Sequence, residues 1–325
     1  MSWRARWSGV ACAVLAVALA QNLPAQAVDF PAAGLSMVFA RSTAAVECVP
    51  GPNRGNRFEA CVQEQTTLFV YRDKKVVGSA VMDVTQSYKL KANSREFTET
   101  FTLDIKDVSG EAAGANLVLK AACGGTCVAT VKVPGAGVAK GRRMSGTLTY
   151  KDTTTGRNTT RTTYTLTGTK PSFPPATDRW TSPDYRCDQE IGKSAGCVFP
   201  STLPVLTTMA QLPEIAANIR RVQDGGPHHY GDRRRGSALT RTTDTALERA
   251  NRNAACPTSR TRPTGKSCDE YPFARTNQGA SKSDRKDWGW AWVPVSEQNQ
   301  QGGFLSAFYQ GQRVLNGDAF WVDVP

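Results

Sequence analysis

The sequence predicts an α+β protein: an all-β N-terminal domain, built as a sandwich or barrel, followed by a smaller α+β domain. Three observations support this class. Thr-rich runs with alternating apolar residues fill residues 28–170, and apolar residues at helical spacing follow after residue 210. A Pro-rich stretch at 171–183 separates the two patterns. We therefore expect a β-rich domain at 28–170, a linker at 171–183 and a second domain at 184–325.

The N-terminus has the pattern of an export signal. Arg4 and Arg6 precede an apolar run at 10–20, and Ala25-Gln26-Ala27 supplies a small-x-small cleavage site. The run is too short to span a bilayer, which takes about 20 apolar residues. We predict that residues 1–27 are a signal peptide, cleaved near Ala27, and that the protein is secreted.

Cleavage there removes Cys12 and leaves eight of the nine cysteines. An even number of cysteines in an exported chain indicates disulfides. Nearest-neighbour pairing is the simplest arrangement, although the spacing does not prove it: Cys48 with Cys61, Cys123 with Cys127, Cys187 with Cys197, and Cys256 with Cys268. A zinc site is the alternative, but no Cys-x-x-Cys pair supports it.

The first domain reads as a series of short strands. Phe97, Phe101, Leu103 and Ile105 share one parity, which is typical of a half-buried strand. Similar runs occur at 67–71, 117–120, 128–133, 146–150 and 162–169. No cluster of acidic or histidine residues in this half suggests catalysis. Its role stays open between adhesion or targeting, an autoinhibitory cover and a stabilising partner.

The second domain mixes helices and strands. Leu212, Ile215, Ile219 and Val222 follow helical spacing, and Pro213 suits the first turn of that helix. The pattern further predicts a helix at 243–255, a strand at 287–295, a short helix at 304–310 and a final strand at 319–324.

The net charge of +12 favours acidic partners such as nucleic acid or anionic wall polymers, without choosing between them. No stretch beyond the N-terminus is long and apolar enough to predict a transmembrane helix. We expect no membrane partner and a monomeric protein.

Two segments carry candidate chemistry. Asp269 and Glu270 lie between Cys268 and the Tyr271-Pro272 pair, so we expect at least one of the two carboxylates to face inward with a partner. A helix cap or a structural salt bridge is the alternative. Residues 296–303 gather carboxylate and amide oxygens between a predicted strand and a predicted helix, and such donors suit magnesium, calcium or manganese. Here the alternative is a polar helix cap.

Six motifs give the C-terminal part a family resemblance. They are CDEYPFA at 268–274, QGA at 278–280, EQN at 297–299, QGG at 301–303, RVL at 313–315 and GDAF at 317–320. In this order they resemble the secreted bacterial deoxyribonucleases of the NucA/NucB type, over roughly residues 250–325 and, more distantly, back to the linker. Residues 28–170 show no part of the resemblance.

The resemblance implies an extracellular endonuclease that needs a divalent metal (Mg, Mn or Ca) and cuts DNA with little sequence preference. It implies a core similar to the ββα-metal nucleases, with an acidic residue replacing the histidine base. Carried over by position, Asp269 is the general base, Glu270 orients it or supports the metal shell, and Glu297 is a second acidic contributor. Asn299 and Gln301 are the metal-facing amides.

Arg275 and Arg313 are the candidate phosphate-binding residues. Arg275 departs from the Ser or Val that members of the family often have soon after Pro-x-Ala, so it places a charge beside the predicted site. That charge can bind the scissile phosphate or the leaving oxygen, or point outward.

Other features favour ordinary structural roles. Trp288, Trp290 and Trp292 alternate along a strand, which favours a buried aromatic face under the helices over base stacking. His228 and His229 follow a Gly-Pro turn, which favours structural or exposed histidines over a catalytic imidazole.

Two other functional classes remain open. One is a protein that binds DNA or wall polymer without cutting it, and the other is a secreted hydrolase acting on protein or glycan. No Gly-x-Ser-x-Gly motif supports a serine hydrolase.

Overall fold

A computed structural model describes residues 34–42, 56–192 and 194–325. The predicted signal peptide and Cys48 lie outside the described residues. Three of the predicted disulfides are present: Cys123–Cys127, Cys187–Cys197 and Cys256–Cys268.

The N-terminal part is a sandwich of antiparallel sheets. A six-stranded sheet has the order β1-β2-β3-β4-β8-β6, and a four-stranded sheet has the order β11-β10-β5-β7. A third sheet has the order β13-β12-β9. The strands are β1 (Leu35–Arg41), β2 (Glu59–Arg72), β3 (Lys75–Lys91), β4 (Ser94–Gly110), β5 (Asn116–Cys123), β6 (Cys127–Lys132), β7 (Ala136–Gly137), β8 (Arg143–Asp152), β9 (Arg157–Thr160), β10 (Thr162–Lys170), β11 (Phe173–Thr181), β12 (Tyr185–Ile191) and β13 (Ser194–Val198).

Alternation along the strands builds one core between the two large sheets. Phe97, Phe101, Leu103 and Ile105 are all buried, as their shared parity predicts. The core also encloses the carboxyl of Glu99, which accepts hydrogen bonds from Gln86 and from the hydroxyls of two tyrosines in β8 and β10. These donors satisfy the buried carboxyl, as a group removed from water requires.

Residues 171–183, predicted as a linker, are instead part of the sandwich. β11 pairs with β10 from Lys170↔Phe173 to Thr163↔Thr181. Pro174 and Pro175 are tolerated because β11 is an edge strand of its sheet, where a missing N–H breaks no ladder bond. The core of the sandwich continues through Tyr185 to Phe199, and a second core begins at Leu206.

The C-terminal part combines three helices with two small sheets. β14 and β15 flank β18, and β16 pairs with β17 as an antiparallel hairpin. The elements are β14 (Val205–Leu206), α1 (Pro213–Gly225), β15 (Leu239–Thr240), α2 (Thr245–Ala255), β16 (Lys266–Tyr271), β17 (Gly289–Pro294), α3 (Val295–Gly311) and β18 (Ala319–Val322).

The predicted helix starts are only partly correct. Pro213 occupies the first turn of α1, and Asp244 caps α2 by accepting from the backbone N–H groups of Ala246 and Leu247. α3, however, begins at Val295 and not at 304. The oxygen-rich segment 296–303 is therefore the first half of a helix. Gly302 and Gly303 concealed this, because glycine is a poor helix former.

Charged side chains join the two parts of the chain. Asp318, in the loop before β18, pairs with Arg57 at 3.2 Å and with Arg186 at 2.7 Å. In the opposite direction, Arg313 extends from the C-terminal part to Asp188. Both guanidiniums contributed by the sandwich are almost completely buried.

None of the helices in the described ranges is long and apolar enough to cross a membrane.

Candidate active site

The hairpin β16–β17 places Asp269 and Glu270 on opposite faces, since neighbouring residues of a strand alternate. Asp269 lies opposite Ala291, on the face against which α1 and α3 pack. Glu270 lies opposite Trp290, on the other face. The bond between Tyr271 and Pro272 is cis.

Asp269 is buried, with 1% of its surface exposed, and both of its carboxylate oxygens are held by amides. Asn218 of α1 donates to Oδ2 at 2.8 Å, and Gln301 of α3 donates to Oδ1 at 2.7 Å. Burial raises the pKa of Asp269 to about 7, and the charges of Glu270 and Glu297 act in the same direction against the two amide hydrogen bonds. A carboxyl with this pKa can exchange a proton at neutral pH.

Glu270 is also buried, with 6% exposure, but it faces a cleft. Its Oε1 lies 3.4 Å from a guanidinium nitrogen of Arg252 in α2. Burial raises the pKa of Glu270, and the charge of Arg252 opposes this shift. The Cys256–Cys268 disulfide ties the end of α2 to β16 beside this carboxylate, with Cys256 Sγ 3.7 Å from Glu270 Oε2.

The cleft has a volume of about 290 Å³ and lies between α2, α3 and the end of β16. Its lining residues are Glu248 and Arg252 of α2; Glu270, Phe273, Ala274 and Arg275 in and after β16; and Gln298, Gln301, Gly302, Leu305, Ser306 and Tyr309 of α3. Asp269 is not among them. It reaches the cleft through Gln301, which lines the cleft and holds Asp269 Oδ1.

Arginine and glutamate side chains alternate around the cleft. Arg275 Nε lies 3.0 Å from Glu248 Oε1, and the Arg275 side chain is 57% exposed. Arg252 is similarly exposed, at 56%. Two exposed guanidiniums, each weakly held by one carboxylate, leave hydrogen-bond donors available to an anionic ligand.

The amides of the cleft form a chain that leaves one acceptor unused. Gln298 Nε2 donates to Gln301 Oε1 at 2.8 Å, and Gln301 Nε2 donates in turn to Asp269. Gln298 Oε1 is buried, and no hydrogen-bond donor reaches it within the described residues. Such an oxygen, in the same cleft as the Glu270 carboxylate, fits a hard divalent cation.

The protein offers few ligands for a cation at this position. The described part of the chain contains no group of three His, Cys, Asp or Glu residues placed to hold a metal. A cation here would keep most of its water shell, which is the usual behaviour of Mg²⁺ in proteins.

Two predicted site residues on α3 lie outside the cleft. Glu297 Oε2 accepts from the backbone N–H groups of Glu214 and Ile215, at 3.0 and 3.2 Å, and so caps the start of α1. Asn299 is exposed and does not line the cleft. Residues 298, 301, 302, 305, 306 and 309 of α3 line the cleft, and residue 299 lies at the edge of that helix face, about 100° around the helix from residue 298.

Arg313 is not available for a DNA phosphate in this structure. Its side chain is fully buried and pairs with Asp188. The same guanidinium donates to the backbone carbonyls of Ala92 at 2.7 Å and Asp188 at 3.0 Å. The prediction of a phosphate contact is replaced by a contact between the two parts of the chain.

The two histidines also lie outside the cleft. His228 Nδ1 is 2.7 Å from a carboxylate oxygen of Asp287, and His229 Nδ1 is 2.6 Å from the backbone oxygen of Gln223. These contacts agree with the structural interpretation of the pair.

Sequence reasoning missed several residues of the site. Asn218 interrupts the apolar stripe of Ile215, Ile219 and Val222, and this polar residue on a buried helix face was an available signal. Glu248 and Arg252 gave no such signal, because they meet the cleft only through the packing of α2 on the hairpin. Gln298 was included only as a member of the segment 296–303, without a role of its own.

The tryptophans of β17 differ from the prediction of a buried face. Trp288, Trp290 and Trp292 are each partly exposed. Ala291 and Val293 face the helices instead, and Val293 is fully buried. The three indoles therefore lie on the outer face of the hairpin, together with Glu270.

Comparison with known proteins gives one finding for this region. Residues 220–323 match the family described as deoxyribonuclease NucA/NucB, a range that includes the hairpin, α2, α3 and the whole cleft. No curated protein matches the sequence. The match indicates a deoxyribonuclease domain in the C-terminal part of the chain, with DNA as its substrate.

Proposed function

We propose that the C-terminal domain is a metal-dependent endonuclease that hydrolyses DNA phosphodiester bonds with little sequence preference, and that the protein is secreted. One observation carries the proposal: adjacent buried carboxyls, Asp269 and Glu270, lie on the two sides of a hairpin whose cleft is edged by Arg252 and Arg275. The family match supports DNA as the substrate. The three disulfides support folding in an oxidising compartment.

Asp269 is the general base in this proposal. With a pKa of about 7, its carboxyl is partly ionised at neutral pH and can accept a proton from water. Asn218 keeps the carboxyl oriented through Oδ2. Gln301 stands between Oδ1 and the cleft, so rotation of the Gln301 side chain would give a water molecule in the cleft access to Oδ1.

The Glu270 carboxylate and Gln298 Oε1 are the oxygens that would hold a divalent cation, Mg²⁺, Mn²⁺ or Ca²⁺. When bound, such a cation supplies positive charge that polarises a phosphoryl oxygen. Gln301 is less suited to this task, because its oxygen and its nitrogen are both engaged by neighbouring side chains.

Arg275 and Arg252 bind the phosphates on either side of the scissile bond. Each guanidinium exchanges its contact with Glu248 or Glu270 for a phosphate oxygen. Binding through these charges releases counterions from DNA, so affinity falls as salt is raised.

Nicking of supercoiled plasmid by the mature chain tests the function. We expect nicking with Mg²⁺ or Mn²⁺ and none with chelator. Asp269→Asn should lower the rate by about 100-fold or more, the usual contribution of a general base. Asp323→Asn, which alters an exposed carboxylate of the same domain, is the matched control and should keep the wild-type rate.

Glu270→Gln distinguishes the proposed role of Glu270, which is cation binding, from that of Asp269. It should raise the cation concentration needed for half-maximal nicking, while Asp269→Asn should leave that concentration unchanged. An Asp269→Asn rate within twofold of wild type would remove Asp269 as the base. A salt-sensitive gel shift without nicking under any of the three cations would favour the alternative of a secreted protein that binds DNA or cell wall without cutting it.

A further inference from the structure

The outer face of the hairpin carries a row of tryptophans that the proposed chemistry does not use. Trp288, Trp290 and Trp292 occupy alternate positions along β17 and its start, and each is partly exposed. Trp290 and Trp292 lie edge to face, with ring centroids 5.5 Å apart. A row of partly exposed indoles leaves apolar surface in contact with water. Such an exposed apolar patch indicates a binding site for a ligand or a partner.

Two arginines cover these rings. The guanidinium of Arg260 lies 3.9 Å from the Trp290 ring centroid, and that of Arg285 lies 4.1 Å from the Trp288 centroid. Throughout the described ranges, neither arginine forms an ion pair with a carboxylate. Arg260 Nε is buried and has no hydrogen-bond partner there. The guanidiniums of Arg260 and Arg285 therefore contact indole rings, and no carboxylate of the described residues neutralises their charges.

This face, defined by Trp288, Trp290, Trp292, Arg260 and Arg285, continues into the cleft. Trp290 is the cross-strand neighbour of Glu270, on the same side of the hairpin. Of the acidic groups nearby, Glu270 pairs with Arg252, and Asp284 caps the following turn by accepting from the backbone N–H of Lys286. The face is aromatic and presents the guanidiniums of Arg260 and Arg285 where it leaves the cleft.

We propose that this face binds an unpaired DNA strand, stacking its bases on the indoles while Arg260 and Arg285 contact its phosphates. The inference rests on the proposed function, because it gives the strand that leaves the cleft a defined path. It assigns single-stranded segments, or locally opened duplex, as the preferred substrate of this cleft.

The chemistry of the face selects this occupant. Bases of an intact duplex stack on each other and offer no ring face to a protein surface, whereas unpaired bases stack on aromatic side chains and on guanidinium planes. A phosphate-rich wall polymer would use the arginines alone and would gain nothing from three partly exposed indoles.

The proposal is tested by measuring how a fluorescent oligothymidylate of twelve nucleotides binds to the full mature chain. A chelator is present so that no strand is cut. Trp290→Leu should weaken binding by about tenfold, since stacking on one aromatic side chain contributes about 1–3 kcal/mol per base. Its affinity for an abasic strand of equal length, and for a blunt duplex, should stay within twofold of wild type. Trp321→Leu replaces a partly exposed tryptophan of β18 and should bind the oligothymidylate as the wild type does.

If Trp290→Leu shows no thermal unfolding transition, the variant is not folded and cannot test the proposal. Arg260→Gln then provides the test. This variant should reduce the slope of log affinity against log salt by about one for the oligothymidylate. Arg220→Gln removes a charge from an exposed position on α1 and should keep the slope.

The proposal is overturned if wild-type protein binds abasic and thymidylate strands equally, which would indicate a phosphate or wall-polymer site, or if neither variant changes binding. These outcomes are separate from nicking. If the wild type nicks plasmid and the variants bind the oligothymidylate as the wild type does, only this inference is wrong. If binding depends on the indoles but the wild type does not nick plasmid, only the proposed function is wrong.

Discussion

Asp269 shows how the burial of a single side chain couples proton binding to stability. The carboxyl is almost completely removed from water, yet its two amide contacts donate only two hydrogen bonds to it. Burial is the largest influence and raises the pKa of Asp269 from 3.8 to about 7. The folded protein therefore binds this proton more tightly than the unfolded chain does. The shift that suits Asp269 to the proposed role of general base also means that its ionised form destabilises the folded protein.

The sign of the resulting pH dependence follows from linkage. Because the folded pKa of Asp269 is raised, its contribution to stability is full below about pH 4 and is lost as the pH rises through about 7. Each pKa unit corresponds to about 1.4 kcal/mol, so the loss amounts to several kcal/mol. We expect thermal unfolding to show that Asp269→Asn is more stable than wild type at pH 8 but not at pH 4. Asp323→Asn should follow the wild type at both, and an equal response of Asp269→Asn and wild type to pH would contradict the assignment.

The helix α3 sets the composition of the cleft, because one of its faces supplies half of the lining side chains. Its first half contains Gly302 and Gly303, which cost helix stability but leave the surface beside the cleft open. A Cβ built on either glycine meets no atom within 4 Å. Gly289 of β17 is different, since its Cβ would lie 2.6 Å from Val222 Cγ2 of α1. The close approach of α1 to the hairpin thus depends on Gly289.

Gly303→Ala and Gly289→Ala should change stability in opposite directions. An alanine at 303 extends an exposed helix and should stabilise the protein by up to about 1 kcal/mol. The same change at 289 should destabilise it, because α1 must shift. Chemical denaturation of both variants measures the two effects. A destabilised Gly303→Ala would indicate a turn at 302–303, as the sequence suggests, and not a continuous helix.

The sequence predicts those elements whose signals are local. Helix α1 follows from its apolar spacing and Pro213, and β17 follows from alternation around Trp290. Asp269 and Glu270 were also predicted from a local signal, which is their position between Cys268 and the Tyr271-Pro272 pair. The roles of Asn299 and Arg313 were not predictable, because they depend on which face of α3 meets the hairpin and on how the sandwich docks beside it. The Arg313 contacts join residues more than a hundred positions apart, and no local pattern encodes them.

At the scale of the whole molecule, the sandwich and the nuclease domain share buried charges. Asp318 receives Arg57 and Arg186 from the sandwich, and burial of its carboxyl is outweighed by these arginines, so that its pKa is lowered. Arg313 crosses in the other direction to Asp188, where both side chains are fully buried. A charge that stays buried without its partner is strongly destabilising, so we expect each part to depend on the other for the pairing of these side chains.

Asp188→Asn should therefore weaken the whole protein and not the sandwich alone. The change leaves Arg313 buried without its carboxylate, and loss of one member of a buried ion pair costs about 3–5 kcal/mol. We expect calorimetry to show one unfolding transition for wild type and, for Asp188→Asn, a lower midpoint with two separated transitions as the cores uncouple. Asp184→Asn breaks an exposed pair with Arg161 and should shift the midpoint little, because surface pairs contribute at most about 1 kcal/mol. If Asp188→Asn keeps a single transition at the wild-type temperature, the domains are held by apolar packing, and the buried charges add nothing to their union.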